Sequence, residues 1–504
     1  MIIIFIYSIF LAVWRSNLDP DFGWHLFLGK KMVESGSLIH DHIGYNSRLS
    51  QIATIDHEWL SDLLLYLGYD HFGYLFLILF FFILLFAVFY FLDNVLKSLK
   101  INSDIRLGTI SVIFLSMIPL YGVRLQVLIW LGAAIALFIH YKIASRRIRY
   151  IAYFILFLVG NNLHAGYLPL VVIPLFLETE WQTPIKILFR KNIINLISLG
   201  AILLLAISLN INGLGYWSLV LDMTVNRGYL KGIQEWLPVY SIPPLFLVEF
   251  ILPLVFFIFL LAVNSYWKKL KPNELALIAI FAYLGIQSRR NFPLFMVVAT
   301  PTLALATQSF IGQFATNAKK QGYFLYSSIM LFLIGLFIFA NIPSRNFNVN
   351  TLKDPWSEET DYPVGATKFL SEEMSSDDNL FNPYEWGGYL LWRNPGLKVF
   401  IDGRGPQSQI PGKEATLLEE YNKFLGSDQE VMRQKLDEYN ISIVLARKYQ
   451  PSPLDPLLKT ILKFSSPQKI QSLEHPRNNL LEFLRAETEW AKVYEDTISV
   501  VFTR

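Results

Sequence analysis

Residues 73–92 read GYLFLILFFFILLFAVFYFL and contain no charged side chain. A helix of that length rises about 30 Å, the thickness of a bilayer's hydrocarbon layer. Runs of the same kind recur at 107–122, 125–142, 192–209, 247–266, 292–309 and 323–341. Residues 1–14 (MIIIFIYSIFLAVW) have no basic leader and no small-residue cleavage site. That pattern predicts a retained anchor rather than a removed signal peptide. The stretch 151–177 is long enough for two short helices broken at Gly160-Asn161-Asn162, and 273–288 adds another. The expected body is therefore an α-helical polytopic membrane protein of about eleven spans.

Composition agrees with this reading. The 504 residues are 53% hydrophobic and 16% charged, against about 25% charged in soluble domains. A single water-soluble core and a disordered chain are both excluded. There is no cysteine, so disulfides, thiolate metal sites and cysteine nucleophiles are excluded together. The net charge of +3 conceals a division: residues 1–345 hold 25 Lys+Arg and 16 Asp+Glu, and residues 346–504 hold 18 and 24. We read 1–345 as a transmembrane domain with a first outer loop at 15–72, and 346–504 as a soluble α/β domain.

Basic residues cluster in alternating loops: Lys97, Lys100 and Arg106; Lys142, Arg146, Arg147 and Arg149; Lys186, Arg190 and Lys191; Lys268, Lys269 and Lys271; Lys319 and Lys320. By the positive-inside rule these loops are cytoplasmic. Residues 15–72, 210–246 and 346–504 then lie on the outer side of a cell (inner) membrane.

Eight of the body's acids fall between residues 19 and 70: Asp19, Asp21, Glu34, Asp41, Asp56, Glu58, Asp62 and Asp70. Five of the protein's eight histidines lie in the same loop, 15–72: His25, His40, His42, His57 and His71. A topological connector needs no such density, which makes this loop the leading candidate active site. Asp19 and Asp21 follow directly on the first apolar run, where a carboxylate can serve as general base or metal ligand. Residues 21–34 have Trp24, Leu28 and Met32 at helical spacing and read as an amphipathic helix lying on the membrane. Asp56-His57-Glu58 opens a second amphipathic stretch. The plain alternative is that Asp19 and Asp56 cap helices.

Other polar residues interrupt apolar runs. Arg124 and Gln126 lie at a turn; Asn161, Asn162 and His164 break a span; Arg289 and Arg290 separate two spans. Arginine suits an anionic headgroup or lipid-linked phosphate through paired hydrogen bonds, though snorkelling would also explain an isolated one. Glu235 is the one acid of QEWLP (234–238); it reads either as a contact for a sugar hydroxyl or basic acceptor, or as a partner of Lys231.

Beyond Arg345 helices and strands alternate. We expect helices at 364–374, 413–425 and 428–439, strands at 379–382, 397–401 and 441–446, and a strand pair at 490–503. Asp402 and Arg404, after the 397–401 strand, read more readily as a turn salt bridge than as catalytic groups. No P-loop, G-x-G-x-x-G or G-x-S-x-G motif is present in the sequence. This argues against an ATP-driven pump, a Rossmann enzyme and a typical serine hydrolase.

DPDFGWHLFLGKKMVESGSL (19–38) and DHEWLSDLL (56–64) together resemble the first outer loop of the GT-C superfamily. These are polytopic glycosyltransferases that use polyprenyl-phosphate-linked sugars, among them protein mannosyltransferases, aminoarabinose transferases and oligosaccharyltransferase catalytic subunits. A bacterial membrane family related to them shares RLQ (124–126), NNLHAGY (161–167), QEWLP, RRNFPLF (289–295), YEWGGYLLWR (384–393) and VFIDGR (399–404). Leu125 stands where those relatives usually have proline.

The resemblance implies an inverting glycosyl transfer from a polyprenyl-phosphate-linked sugar donor to an extracytoplasmic glycan, lipid or protein acceptor. It assigns the catalytic role to Asp19 or Asp21, with Asp56 or Glu58 as a second acid. Substrate contacts fall to His25, His57, Arg124, Asn162, His164, Glu235, Arg289 and Arg290. A divalent cation (Mg or Mn) held by Asp19 and Asp21 is a further expectation. Expected partners include membrane lipids and no nucleic acid. The rival reading is a transporter or flippase of a lipid-linked or anionic substrate, and the chain shows no internal repeat of the kind such proteins carry.

Overall fold

The computed structural model describes residues 2–14, 19–38, 45–46, 48–50, 56–120, 123–179, 185–225, 233–240, 251–264, 266–314, 354–357, 361–375, 378–448, 459–460, 463 and 478–504. The expected span 323–341, the start of the span at 247–266, the end of that at 107–122, His40, Asp41, His42, Lys231, Lys319 and Lys320 lie outside the described residues. The chain forms two compact units: 1–16, 78–213 and 234–344 make the first, and 17–77, 214–233 and 345–504 the second.

The first unit is helical. It contains α1 (Ile2–Ile9), continued by a π-helical turn (Phe10–Trp14), and the later part of α3 (Trp59–Ser98). α4 (Ser103–Met117), α5 (Gln126–Lys142), α6 (Arg146–Leu163), α7 (Val172–Leu177) and α8 (Ile185–Ser208) follow. After these come α10 (Ile251–Asn264), α11 (Pro272–Gln287) and α12 (Phe292–Phe314). α12 packs against α4, α5, α10 and α11 at the centre, and Trp130, Phe114, Met296 and Val297 are fully buried there.

The outward faces are apolar. α6 presents Ile148, Ile151, Ile155 and Val159, α8 presents Ile197, Leu204 and Leu205, and α10 presents Phe257 and Leu261, all exposed. The α6 residues follow the three-and-four spacing of one helix face. A soluble protein rarely leaves such stripes bare, and lipid is the solvent that accepts them. Among the described residues two helical runs, Trp59–Ser98 and Arg289–Gly312, are long and apolar enough to cross a membrane; the other apolar helices are shorter.

Within 151–177 the break falls at His164 rather than at Gly160-Asn161-Asn162. Those three complete the last turn of α6, and Ala165–Val171 then forms a 3-10 helix. Gly160 is required because the Tyr167 ring lies where its Cβ would be, 2.1 Å away. The asparagines stay helical because the turn after α8 takes up their side chains: Asn161 Nδ2 donates to the Ile207 carbonyl and Asn210 Nδ2 to that of Asn161, each at 3.2 Å.

The second unit joins residues 17–77 and 214–233 to 345–504, so packing divides the chain at residue 345 and also groups the first loop with the C-terminal residues. Its mixed sheet has the order β1 (Leu380–Phe381), β2 (Ile443–Arg447), β4 (Ser499–Thr503), β3 (Ala491–Glu495). β1 runs parallel to β2, and the other pairs are antiparallel. The helices are α2 (Phe22–Ser35), α9 (Leu214–Val225), α13 (Val364–Glu373), α14 (Gly387–Arg393), α15 (Leu417–Gly426), α16 (Gln429–Glu438) and α17 (Asn479–Ala486). α9 was not anticipated. The expected strand at 397–401 reduces to one parallel bridge, between Val399 and Tyr45 of the first loop.

α2 has the expected extent but not the expected surroundings. Residues 22–29 are buried without interruption and the helix packs on α14. It therefore rests on protein rather than on a lipid surface. Glycines make the approach possible. A Cβ on Gly23 would stand 2.2 Å from the Gly388 carbonyl carbon, and one on Gly388 3.0 Å from the Pro20 oxygen. Tyr66 and Tyr69, on the stretch of α3 before its break at Gly73 (φ 62°, ψ −156°), meet the edge of the Trp392 ring.

Candidate functional site

Most of the expected site residues fall into two clusters, one in each unit.

In the second unit, α2 and the start of α3 bring His25, Asp56, Glu58 and Asp62 together. His25 Nδ1 lies 2.6 Å from Asp62 Oδ1, and its Nε2 lies 3.6 Å from Glu58 Oε2. His57 Nε2 is 3.5 Å from Glu58 Oε1. Asp62 is fully buried, and His25 and Glu58 nearly so. The Asp56 carboxyl lies within reach of the Asp62 charge. Burial and the Asp62 charge push Asp56 well above the usual carboxylate range. Asp56 also accepts from the Glu58 backbone N–H at 3.0 Å, so the expected capping role and membership of the cluster coexist.

Asp402 and Arg404 adjoin the cluster. Arg404 donates through Nε and Nη2 to Asp402 at 3.0 and 2.6 Å, and the Tyr45 hydroxyl donates to Asp402 at 3.3 Å. The Arg404 guanidinium lies 4.5 Å from the Tyr45 ring centre. Burial works against the Arg404 charge, but Asp402 and Tyr45 more than restore it, and its pKa rises. The turn salt bridge read from VFIDGR is thus present, with Asp402 fully buried.

Asp19 and Asp21 are half-buried. Asp19 accepts from the Asp21 backbone N–H at 3.1 Å, the Asx turn that starts α2. Asp21 accepts from Trp24 Nε1 at 3.0 Å, and its carboxylate lies where a Gly403 side chain would begin. No three His, Asp or Glu side chains converge to hold a metal among the described residues, and no step below passes through one.

In the first unit, Arg124, Glu235 and Arg290 converge. Glu235 bonds Arg124 Nη1 through Oε2 and Arg290 Nη1 through Oε1, the latter at 2.6 Å. Glu235 therefore pairs with arginines of two inter-span turns. Burial raises its carboxyl pKa, but the Arg290 and Arg124 charges and hydrogen bonds outweigh this and hold it at about 2. Arg290 stacks over the Trp236 ring, 5.0 Å from its centre. Backbone bonds from Val239 to Ile286 and from Arg289 to Leu237, both 3.1 Å, pin QEWLP against the turn that carries Arg289 and Arg290. Gln126 Nε2 donates to the Arg290 carbonyl.

Asn162 and His164 belong to neither cluster. Asn162 Nδ2 donates to the Leu158 carbonyl at 2.8 Å, and His164 Nδ1 accepts from the Gly166 N–H at 2.8 Å. The latter bond fixes a neutral ring that starts the 3-10 turn.

Sequence reasoning counted Asp62 among the loop acids but left it out of the site. Its signal was its spacing: Glu58 and Asp62 are four apart, a like-charge pair on one helix face that is unfavourable without a compensating reason. The bridge to Tyr45 left no mark in the sequence.

No family model matches the sequence, and no curated protein matches it. Among solved structures the chain is similar to a cryo-EM structure of arabinofuranosyltransferase AftD from mycobacteria, determined for a point mutant, with 11% identity and a TM-score of 0.51. The match covers 100% of this chain and 41% of that one, so the chain spans less than half the length of its structural neighbour. The likeness is one of fold.

Proposed function

We propose that the protein is a membrane glycosyltransferase that moves a sugar from a polyprenyl-phosphate-linked donor to an extracytoplasmic acceptor with inversion. The observation that carries this reading is the first-loop cluster: carboxyl groups and imidazoles gathered in one place, in a chain whose fold is similar to that of an arabinofuranosyltransferase. Transfer to a hydroxyl needs a group that accepts its proton as the glycosidic bond forms. Asp19 and Asp21, half-buried at the start of α2, are assigned that role, with the His25–Asp62–Asp56–Glu58 cluster as the second acidic element. The leaving lipid phosphate carries developing negative charge, which arginines stabilise; Arg124, Arg289 and Arg290 are assigned to it. The C-terminal residues are placed on the outer side of the membrane.

The test is release of lipid phosphate by the purified full-length protein from polyprenyl-phosphate sugars. We expect turnover in the wild type and at least about a hundredfold loss in Asp19→Asn/Asp21→Asn with expression intact. Full activity in the double variant removes the assignment. Parallel runs with EDTA, Mg²⁺ and Mn²⁺ decide the cation requirement. Movement of intact lipid between leaflets without cleavage would favour the flippase.

A further inference from the structure

The Arg124–Glu235–Arg290 arrangement is more specific than a surface ion pair. One carboxylate spans two guanidinium groups, giving one oxygen to each. This is how a phosphate ester engages two arginines. All three side chains keep between 21% and 24% of their surface exposed, so the site is reachable. Two features keep Arg290 in place if the carboxylate leaves: the Trp236 face beneath its guanidinium, and the Gln126 bond to its carbonyl. The Glu235 carbonyl accepts from the Ser288 hydroxyl at 3.3 Å, and the backbone just after it is held at Leu237 and Val239, so displacement of the carboxylate requires a change of the side chain rather than of these backbone contacts.

We propose that Glu235 is an internal stand-in for a phosphate: a phosphate ester binds Arg124 and Arg290 by displacing the Glu235 carboxylate. The inference rests on the reading of an anionic lipid donor and adds that its site is occupied by the protein's own carboxylate until the ligand arrives. The donor's phosphate is a diester with one negative charge, and the lipid phosphate released by transfer is a monoester with three free oxygens and nearly two; the monoester meets the guanidiniums with more charge than the carboxylate does. It therefore wins the exchange at sufficient concentration, and the carboxylate weakens binding of weaker anions.

The wild-type protein provides the primary test. At pH 5, carbodiimide and glycine ethyl ester label protonated carboxyl groups, and mass spectrometry reads Glu235. While paired, Glu235 labels slowly. With farnesyl phosphate bound it returns toward the ordinary glutamate pKa, and labelling rises by about tenfold or more. Unchanged or slower labelling overturns the proposal. A rise with farnesyl phosphate but not with inorganic phosphate identifies a lipid phosphate ester; a rise with both identifies a phosphate site indifferent to the lipid. Second, E235Q should bind farnesyl phosphate roughly tenfold tighter than wild type, and R124Q and R290Q at least tenfold more weakly. Weaker binding by a folded E235Q overturns the proposal; if E235Q does not fold, the labelling decides. Exchange without sugar transfer would overturn the transferase reading alone. Transfer with Glu235 still protected would overturn this inference alone.

Discussion

The two clusters both bury carboxyl groups and meet that cost in opposite ways. Around Glu235 each carboxylate oxygen meets an arginine, and the acid stays ionised. Around Asp62 three acids crowd two histidines, and the charge is removed by keeping a proton on Asp56. The lesson is that an acid's role here depends on which element packs against it, which its own segment does not reveal.

The largest expected effect concerns the contact that assembles the acidic cluster. Gly23→Val forces a side chain into the Gly388 backbone and should cost at least about 3 kcal/mol. The predicted result is a second unit that is cleaved readily in limited proteolysis. A protease-resistant variant would mean that α2 does not need this approach.

Next comes the division of labour between the paired aspartates. Asp62→Asn changes the carboxyl group that lies 2.6 Å from His25 Nδ1 and should destabilise the unit by about 2 kcal/mol. Asp56→Asn retains a donor and should cost under about 0.5 kcal/mol at neutral pH. Thermal unfolding of the two variants checks the order, and equal losses would remove the proton assigned to Asp56.

A smaller effect separates the clusters by the sign of their pH dependence. Glu235 has a lowered folded pKa of about 2 against a usual 4.5. Its contribution is complete above the unfolded value and lost as pH falls from 4.5 towards 2. Asp56 has a raised folded pKa against a usual 3.8, so its contribution is present below 3.8 and lost as pH rises towards the folded value. Hydrogen exchange in peptides covering 234–239 and 56–62, corrected for intrinsic rates, should show opposite slopes. Glu235→Gln should flatten the first and Asp56→Asn the second.

The smallest concerns the exposed pairs of Glu34 with Lys30 and Lys31. Glu34→Gln should leave the melting curve unchanged, since exposed ion pairs contribute little. A measurable shift would show that the end of α2 is more tightly held than its exposure implies.

Much of the helical layout was legible because apolar runs are local. Residues 125–142, 192–209 and 292–309 carry their own signal and became α5, α8 and α12. The break after α6 was misplaced because Gly160 and Asn161 look like breakers in isolation, yet Tyr167 and the turn after α8 accommodate them. Both halves of the acidic loop were visible as a concentration of charge. Their union with Asp402 and Arg404 was not, because it depends on glycine contacts between segments hundreds of residues apart. Gly23, Gly388 and Gly403 each look unremarked alone, and their purpose appears only when the backbones meet.

That meeting has a consequence for synthesis. α2 leaves the ribosome early, with Phe22, Leu26 and Phe27 destined for full burial. Its partner, Gly387–Arg393, and the closing strand, Ser499–Thr503, are made only after all the intervening helices. The first loop must wait, uncovered, through most of translation. Contacts so distant in sequence form slowly and expose apolar surface meanwhile. Stop codons late in the chain should therefore damage the earliest outer segment as severely as the residues they delete.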